Sequence, residues 1–574
     1  MNYRWVVASP ASEAARRLAA EVGCSPLLAQ CLLIRGFDRP EAAAAFLEPR
    51  LRDLADPFLL PDMAVAVARL WRAREQGERL VIFGDYDVDG VTATAILLEV
   101  LRPLGWHVET YLPHRLEEGY GLTREAAENC LQRHPSTLLL AVDCGSTAGE
   151  TVAWLRQRGV SVIVLDHHQV SVPCPPADAI INPRRDGDAA PRFAEFCSAG
   201  LAFKLGHALV KEGRQRNLPA AQATEVKSLL DLVALGTIAD LVPITGENRI
   251  LVSTGLARLN RLERPGLLAL HQVAQIAGAV GTYEVGFRLA PRLNAAGRLE
   301  TATDALELLL ATDGTQAEPL ARALDERNRE RQNLERALAE EVGQIIRASF
   351  KPEEHFVIVE GQAHWHLGVV GIVASRVLQE FHRPTIIMGG DGEQWRGSGR
   401  SVEGFDLAAA LRECDDLLLR HVGHALAAGV TLPPNNLAAF RQRLNLLARE
   451  HLGPEQLRPR LRLDAAVALA DLTQERVEEL GRLQPCGAGN PTAQFVVRDV
   501  RLQRASQPLG REQQHLKLWV TDGAVTLETL WWGRGDQAPP SPEGSFDLAC
   551  VPQLNHFNQR TTVQLRLLDW QPRA

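Results

Sequence analysis

The residues best suited to chemistry are carboxylates at alternating positions in the segment FGDYDVDG, residues 83–90. Asp85, Asp87 and Asp89 directly follow a short apolar run. Carboxylates this close repel one another and raise each other's pKa unless a cation lies among them. A calcium loop of the EF-hand kind is excluded, because it needs Glu six residues after the glycine and Ile96 stands there. The alternatives are a divalent-metal site and a solvated acidic turn.

Two further polar clusters follow apolar runs later in the chain. Asp143 stands in AVDCGS, and Asp166, His167 and His168 are consecutive. In open α/β sheets the ligand site lies outside the carboxyl ends of the strands. Alone, each cluster is compatible with a helix cap or a structural histidine pair. Together on successive strands, they predict that these side chains converge with the acidic turn.

Asp240 is a carboxylate within an otherwise apolar stretch, LGTIADLV. A buried carboxylate needs a partner, which is either a metal or a salt bridge to Arg249. Carboxylates with imidazoles suit Mn²⁺ or Mg²⁺, and the absence of any C-x-x-C pair disfavours structural zinc. Two such ions about 3.5–4 Å apart are a common device for phosphoryl chemistry, which is the reaction class predicted.

Strands that alternate with helices are expected to position these acidic clusters. Short apolar runs predict strands, and the periodic segments between them predict helices, which is the pattern of a parallel α/β sheet. The predicted strands are Leu80–Phe83, Leu138–Val142 and Val162–Leu165, and the predicted helices are Met63–Arg74 capped by Asp62, Val91–Leu101 and Ala148–Arg158.

The remaining sequence predicts further units. A charged stretch almost free of Gly and Pro predicts a long exposed helix joining two α/β lobes, and the alternating runs after about residue 463 predict a small β-barrel of a kind that often binds nucleic acids. The predicted fold class is therefore multidomain α/β, two lobes with parallel sheets plus a barrel. The predicted units are an N-terminal helical region 1–50, a catalytic domain 51–315, a connecting helix 316–348, a second lobe 349–455 and a barrel domain 456–574.

Composition limits the functional classes. The 574 residues are 46% hydrophobic, which excludes intrinsic disorder as the main state. No apolar run approaches 18 residues and the start lacks a secretory pattern, so neither a membrane span nor a signal peptide is expected. Scattered cysteines favour a reducing compartment, hence the cytoplasm. A net charge of −8 argues mildly against nucleic-acid binding, unless the acids hold metal ions.

The acidic motifs resemble those of the DHH phosphoesterase superfamily, named for the Asp-His-His that stands here at 166–168. The resemblance implies a two-metal site for Mn²⁺ or Mg²⁺. Its implied catalytic residues are Asp143, Asp166 and His168: Asp143 as the bridging carboxylate, Asp166 as an orienting acid and His168 against the scissile phosphate. The implied metal ligands are Asp87, Asp89, Asp143, His167 and Asp240, with Asp85 as a further family acid.

Later segments are similar to one branch of this superfamily, the bacterial exonucleases that degrade single-stranded DNA from the 5′ end. These exonucleases combine DHH, DHHA1 and OB-fold domains. The sequence departs from these exonucleases at two places. Val422 stands where they usually have the first glycine of Gly-Gly-His, and Cys197–Gly200 replaces a glycine-rich stretch. The matching segments are LAPRLNAAGR at 289–298, HLGVVGIVASR at 366–376, GSGRS at 397–401, GHALAAG at 423–429 and PCGAGNP at 485–491.

The same resemblance implies a function and partners. The function would be release of 5′-mononucleotides from single-stranded DNA in repair and recombination. The implied partners are single-stranded DNA, single-strand-binding protein and a RecQ-type helicase, with no membrane, and we expect a monomer.

Glycines and basic residues in the later segments predict phosphate contacts. Glycine-rich backbone lets N–H groups approach an anion, and a second lobe holding the 5′ phosphate would fix its distance from the metals. The competing interpretations are glycines that only permit tight packing and arginines that are salt-bridged. The candidates are Arg292, Arg298 and Arg376 for backbone phosphates, and Ser398, Gly399, Arg400, Gly423 and His424 for the 5′ phosphate.

Two other functions compete with the exonuclease. A DHH phosphodiesterase acting on short oligoribonucleotides or dinucleotides would share the acidic site, but would typically lack the C-terminal barrel. A non-catalytic replication scaffold would have lost the ligands, and all of the expected ligands are present.

Overall fold

The computed structural model of the protein describes residues 3–115, 117–185, 191–299, 301–390 and 392–573. The chain begins with strand β1 and a set of helices that fold onto the C-terminal barrel. β1 pairs in parallel with the much later strand Arg460–Leu463, and the helices share one apolar core with barrel residues such as Phe495 and Leu548. The elements are β1 (Arg4–Val7), α1 (Ser12–Val22), α2 (Pro26–Ile34) and α3 (Pro40–Leu47).

The first lobe contains a parallel sheet, as predicted. Its strands run in the order β3-β2-β4-β5-β6, and every pairing in it is parallel. The interior strands are buried on both faces, as expected for a sheet covered by helices. The strands are β2 (Arg79–Gly84), β3 (His107–Tyr111), β4 (Leu138–Val142), β5 (Ser161–Leu165) and β6 (Ala179–Ile181).

Helices cover the sheet and build most of this core. α5 is buried on almost all sides, because it lies against both α8 and α10. The helices are α4 (Met63–Glu75), α5 (Val88–Leu101), α6 (Arg124–Arg133), α7 (Gly149–Gln157), α8 (Ser198–Gln215), α9 (Pro219–Ala223), α10 (Leu230–Ala239), α11 (Gly246–Leu259), α12 (Pro265–Val273), α13 (Thr282–Glu284), a π-helical turn (Val285–Leu289), α14 (Ala290–Leu299) and α15 (Thr303–Leu310).

The cap predicted for α4 is wrong, although the helix forms. Asp62 precedes the helix with φ of 51° and makes no capping hydrogen bond. Its carboxylate instead accepts the backbone N–H of Ile180 at 3.0 Å and pairs with Arg185. Asp62 therefore ties α4 to the edge of the sheet.

The predicted connecting helix is α16 (Gly314–Ser349). It is not exposed all round, because residues along one face are buried against the two lobes, among them Leu324, Leu338 and Val342. The predicted long helix is confirmed, and the predicted exposure holds for the rest of its surface.

The second lobe carries a mixed sheet in the order β10-β11-β9-β8-β7. The predicted parallel pairing holds for β7 and β8, while β8–β9, β9–β11 and β10–β11 are antiparallel hairpin-like pairs. Its elements are β7 (Ile358–Gly361), α17 (Val370–Phe381), β8 (Thr385–Gly390), β9 (Trp395–Arg400), α18 (Leu407–Arg412), β10 (Arg420–Gly423), β11 (Ala427–Leu432) and α19 (Leu437–His451).

The C-terminal strands form the predicted barrel. The sheet runs β13-β14-β18-β19-β17-β16-β15, and an additional pairing of β14 with β16 closes it. The elements are β12 (Arg460–Leu463), β13 (Ala465–Val467), α20 (Gln474–Leu480), β14 (Phe495–Leu502), β15 (Gln507–Leu509), β16 (His515–Thr521), β17 (Thr526–Trp531), β18 (Phe546–Phe557) and β19 (Arg560–Pro572).

In the part of the chain that the structure describes, no single helix has the length and apolarity to cross a membrane. Helices α1 and α2 together meet that test, but they are bent by 108° at the break between them.

Arg249 joins the first lobe to the segment between α20 and β14 of the barrel domain. Its guanidinium donates to the carbonyl oxygens of Phe46, Arg482, Leu483, Gln484 and Pro485 at 2.7–3.2 Å. The side chain is 2% exposed, and burial lowers its pKa to about 10. A buried cation is tolerated here because carbonyl oxygens accept all of these bonds.

We predict that Arg249→Gln lowers the free energy of unfolding by about 3 kcal/mol, because buried carbonyl groups lose their donor. Denaturant unfolding monitored by tryptophan fluorescence measures this. Arg261→Gln is the control, since Arg261 is 64% exposed and its loss should change stability by less than about 0.5 kcal/mol. Equal midpoints for the two variants would contradict the role given to Arg249.

Candidate two-metal centre

The acidic turn between β2 and α5 presents its carboxylates at the carboxyl edge of the sheet. Asp87 is the N-cap of α5, and its carboxylate accepts the N–H groups of Asp89 at 2.8 Å and Gly90 at 3.1 Å. A Cβ at Gly90 would lie 2.6 Å from the Asp85 carbonyl oxygen, so only glycine permits this turn. Burial, with the neighbouring charge of Asp87, raises the pKa of Asp85 well above its ordinary value.

Asp89 faces the start of α8. Its carboxylate accepts the N–H groups of Ser198 at 2.7 Å and Ala199 at 2.8 Å. The side chain is nevertheless buried, and burial together with the charge of Asp87 raises the pKa of Asp89 to about 6. The α8 N-terminus therefore stabilises negative charge that the interior otherwise disfavours.

Asp143 lies directly after β4 in a left-handed conformation, with φ of 64°. Its Oδ1 accepts the Ser198 hydroxyl at 2.8 Å. Burial, with Asp89 and Asp87 nearby, raises the pKa of Asp143 well above its ordinary value. This carboxylate is therefore placed between the acidic turn and the DHH segment.

His167 brings the clusters together. Its Nε2 lies 3.4 Å from Asp143 Oδ1, 3.6 Å from Asp240 Oδ2 and 3.8 Å from Asp89 Oδ2. Burial, with the positive charge of His168, lowers the pKa of His167 to about 3, so the imidazole is neutral. Neither ring nitrogen has a hydrogen-bond partner among the described residues. A neutral imidazole with no bonded partner is suited to bind a metal.

Asp240 directly follows α10 and completes this group. Burial, with the charges of Asp89 and Asp87, raises its pKa to about 9. The salt bridge to Arg249 considered from the sequence does not form, because that guanidinium donates to backbone carbonyl oxygens, among them those of Leu483 and Gln484.

Asp166 and His168 form a hydrogen-bonded pair beside the cluster. His168 Nδ1 lies 2.7 Å from Asp166 Oδ1, and Asp166 also accepts the Ser146 N–H at 3.0 Å. Burial opposes both charges, but the pairing outweighs it. The pairing raises the pKa of His168 to about 9 and lowers the pKa of Asp166 below its ordinary range. Both side chains are therefore charged at pH 7. The far nitrogen of His168 lies 3.1 Å from the Tyr120 hydroxyl.

These groups could hold divalent ions. Each of the possible groups offers ligand atoms within 4.8 Å of one another, and together the groups include all of the predicted ligands. Buried like charges and the unpartnered atoms Asp85 Oδ1 and His167 Nε2 are what a cation would neutralise and bind. The residues present therefore fit two ions. The groups are Asp85–Asp87–Asp143, Asp89–His167–Asp240 and Asp143–His167–His168.

The predicted phosphate residues of the second lobe lie on or next to two strands of one sheet. Ser398, Gly399 and Arg400 end β9, while Gly423 ends β10, with β11 between them. His424 follows and is exposed. Burial, with a smaller contribution from the charge of Arg115, lowers the pKa of Arg400.

The predicted backbone contacts are mostly engaged within the protein. Arg292 pairs with Asp325 at 2.9 Å, and Arg376 pairs with Glu335 at 2.6 Å. Arg298 approaches the Gly368 carbonyl oxygen at 3.4 Å, which joins the two lobes. Burial, with the charges of Arg115 and Arg331, lowers the pKa of Arg298 to about 10.

Sequence reasoning missed several residues of the site. Ser198 bonds two of the aspartates, and its signal was the Cys197–Gly200 segment, noted only as a departure. Tyr120 and Arg115 lie in the long connection after β3, where no pattern marked them. Arg115 lies over the Tyr86 ring, 5.3 Å from its centroid.

The fold and this acidic edge define the class of protein, a DHH phosphoesterase with a DHHA1 domain. The chain matches the DHH family, N-terminal domain, over residues 79–237 and the DHHA1 domain over 354–450. It also matches the RecJ OB domain over 463–569.

The chain belongs to the RecJ family. It is 36% identical over 99% of its length to the single-stranded-DNA-specific exonuclease RecJ of Bacillus subtilis strain 168, covering 70% of that protein. It is 34% identical to the RecJ of Escherichia coli K12, covering 94% of this chain and 95% of that protein. The crystal structure of RecJ in complex with Mn²⁺ from Thermus thermophilus superposes with a TM-score of 0.84 at 33% identity, covering all of this chain and 80% of the other.

Proposed function

We propose that this chain is a single-stranded-DNA-specific 5′→3′ exonuclease that hydrolyses phosphodiesters at a two-metal centre and releases 5′-mononucleotides in DNA repair and recombination. The observation that carries the proposal is the buried cluster of carboxylates around a neutral, unpartnered His167 in a chain of the RecJ family.

The residues that would hold the ions lie at the ends of β2, β4 and β5 and after α10. When bound, two Mn²⁺ or Mg²⁺ ions lower the pKa of water and neutralise charge on the phosphate. Asp143 belongs to two of the three possible groups and lies 3.4 Å from His167 Nε2, so it would contribute to holding both ions. The proposed ligands are Asp85, Asp87, Asp89, Asp143, His167 and Asp240.

His168 would contact the scissile phosphate. Because its pKa is raised to about 9, the ring is a cation at pH 7 and presents an N–H donor on Nε2. Asp166 fixes the ring through Nδ1 and carries the compensating charge. A positioned cationic donor stabilises the negative charge that grows on a reacting phosphate.

The second lobe would bind the 5′-terminal phosphate. Ser398, Gly399 and Arg400 lie beside the start of α17, where a Cβ at Gly371 would lie 3.1 Å from Ser398 Oγ. Backbone N–H groups near glycines and an arginine side chain recognise phosphate. We retain Gly423 and His424 in this site, and Arg292, Arg298 and Arg376 as contacts to backbone phosphates that would exchange their present partners.

The same proposal assigns a role to each domain and names the compartment, oligomeric state and partners of the protein. It assigns catalysis to residues 51–315, phosphate binding to 349–455 and strand binding to 456–574. It includes action in the cytoplasm as a monomer, with single-strand-binding protein and a RecQ-type helicase as partners.

Digestion of end-labelled DNA tests the proposal. We expect immediate release of labelled mononucleotide from a 5′-labelled single strand with Mn²⁺. No early release should occur from a 3′-labelled copy, from a blunt duplex or in the presence of a chelator. Hydrolysis of a dinucleotide without cleavage of the long strand would overturn the proposal in favour of a small-substrate phosphodiesterase.

A further inference from the structure

Two aromatic side chains stack on each other at the surface of the first lobe. Tyr283 is 61% exposed and Phe287 is 70% exposed. Their ring centroids are 4.9 Å apart with an interplanar angle of 28°. Large rings left in water side by side mark an interaction site more often than isolated exposed apolar residues do.

The backbone turns this pair outward. The π-helical turn 285–289 inserts between α13 and α14, and its first and last residues, Val285 and Leu289, are buried. Phe287 lies between them on the opposite side, beside Tyr283 four residues earlier. Single π-helical turns are frequent at functional sites. The turn therefore places both rings on the solvent side while its flanking residues remain in the core.

The segment that carries the pair runs from the barrel to the acidic centre. At its start the Thr282 hydroxyl donates to the Cys486 carbonyl oxygen at 2.7 Å, in the loop before barrel strand β14. Near its end Asn294 accepts the Val88 N–H at 3.1 Å, and a Cβ at Gly297 would lie 2.6 Å from the Tyr86 carbonyl oxygen. The rings thus lie between the barrel and the metal ligands.

The distance along this segment is short. From Phe287 to Gly297 is ten residues, or about 15 Å at the helical rise of 1.5 Å per residue. Stacked nucleotides repeat about every 3.4 Å along a strand, so about four nucleotides would span the interval.

An exposed arginine and a partly buried glutamate lie beside the rings. Arg288 is exposed, and its carbonyl oxygen accepts from Arg292 at 2.6 Å. The acidic neighbour Glu284 is engaged by the N–H of Gly281 at 2.9 Å. Exposed aromatic faces with adjacent arginine are the combination that binds single-stranded nucleic acid without sequence preference.

We propose that Tyr283 and Phe287 form a stacking platform for bases of single-stranded DNA, about four nucleotides behind the phosphate that is cleaved. The inference rests on the proposed exonuclease function and adds a binding subsite to it. The continuity of the segment with the acidic centre favours a DNA strand over a protein partner as the occupant.

Strand binding measured with and without the rings tests the platform. The protein is titrated without metal into a fluorescent, 5′-phosphorylated 12-nucleotide strand. We expect Tyr283→Ala/Phe287→Ala to raise Kd about tenfold. With Mn²⁺, its kcat/KM on a trinucleotide should stay within twofold of wild type, because that substrate does not reach the rings.

Two variants and a positional probe sharpen the test. Tyr283→Phe/Phe287→Tyr keeps both rings and should bind like wild type, as should Leu446→Ala, which removes a 57% exposed side chain from α19. 2-Aminopurine placed along the strand should be quenched most near the fourth to sixth nucleotide, and only when the rings are present. An unchanged Kd and unchanged quenching in the alanine variant would overturn the platform, and the surface would be left to a protein partner. If the wild type fails to degrade single strands, the proposed function fails instead.

Discussion

Asp143→Asn is expected to reduce exonuclease activity by more than about a thousandfold. Outer-shell partners of metal ligands alone are worth about 10–100-fold, and Asp143 is the carboxylate that belongs to two of the three possible groups of ligands. Asparagine keeps the volume and the oxygen that accepts from Ser198, but it removes the negative charge. The measurement is the rate of mononucleotide release, together with Mn²⁺ binding by calorimetry.

The same variant should be more stable than the wild type when metal is absent. In the wild type, burial and neighbouring acids raise the pKa of Asp143, so ionising it at neutral pH opposes folding. The thermal midpoint in chelator should therefore rise in Asp143→Asn, which also excludes misfolding as the cause of inactivity. Asp38→Asn, at an exposed acid that is not among the possible ligands, serves as a control. Retained activity would contradict the assignment of Asp143.

His168→Gln is expected to lower kcat by about a hundredfold to a thousandfold while leaving Mn²⁺ affinity unchanged. Glutamine keeps a hydrogen-bond donor but loses the positive charge that Asp166 maintains on the ring. Loss of a positioned donor to a developing charge has effects of this size. Steady-state kinetics on a 5′-phosphorylated strand, at saturating Mn²⁺, measures the change.

Asp166→Asn tests whether activity depends on the positive charge of His168 or only on the position of its ring. This variant keeps a side-chain partner for Nδ1 but removes the charge that raises the pKa of His168. Its activity should fall towards that of His168→Gln as pH rises from 6 to 8, because the unpaired histidine loses its proton in that range. Parallel pH profiles for Asp166→Asn and the wild type would contradict this role.

The acidic centre could be located from the sequence because its signals are local. Each cluster directly follows an apolar run, and parallel strands bring their carboxyl ends to one edge. Asp87, Asp143 and His167 therefore converge as predicted. The parallel first sheet, the long helix and the barrel followed from the same periodic patterns.

Other features depend on long-range packing that leaves no local pattern. Tyr120 reaches His168 from a loop 48 residues away, and Arg249 finds its carbonyl partners beyond residue 480. The helices of the N-terminal region share one apolar core with the barrel, and β1 pairs with β12 across the length of the chain. The sequence predicts that Arg292 contacts phosphate, but in the structure it forms an ion pair with Asp325 on another helix.

The most direct test of the central claim is a crystal of the protein grown with Mn²⁺ and measured at the manganese absorption edge. We expect two anomalous peaks about 3.5–4 Å apart, both in contact with Asp143, one also near Asp87 and the other near His167 and Asp240. The same crystals of Asp143→Asn should lose at least one peak. No peak among these residues, or peaks elsewhere in the chain, would contradict a two-metal centre at this edge of the sheet.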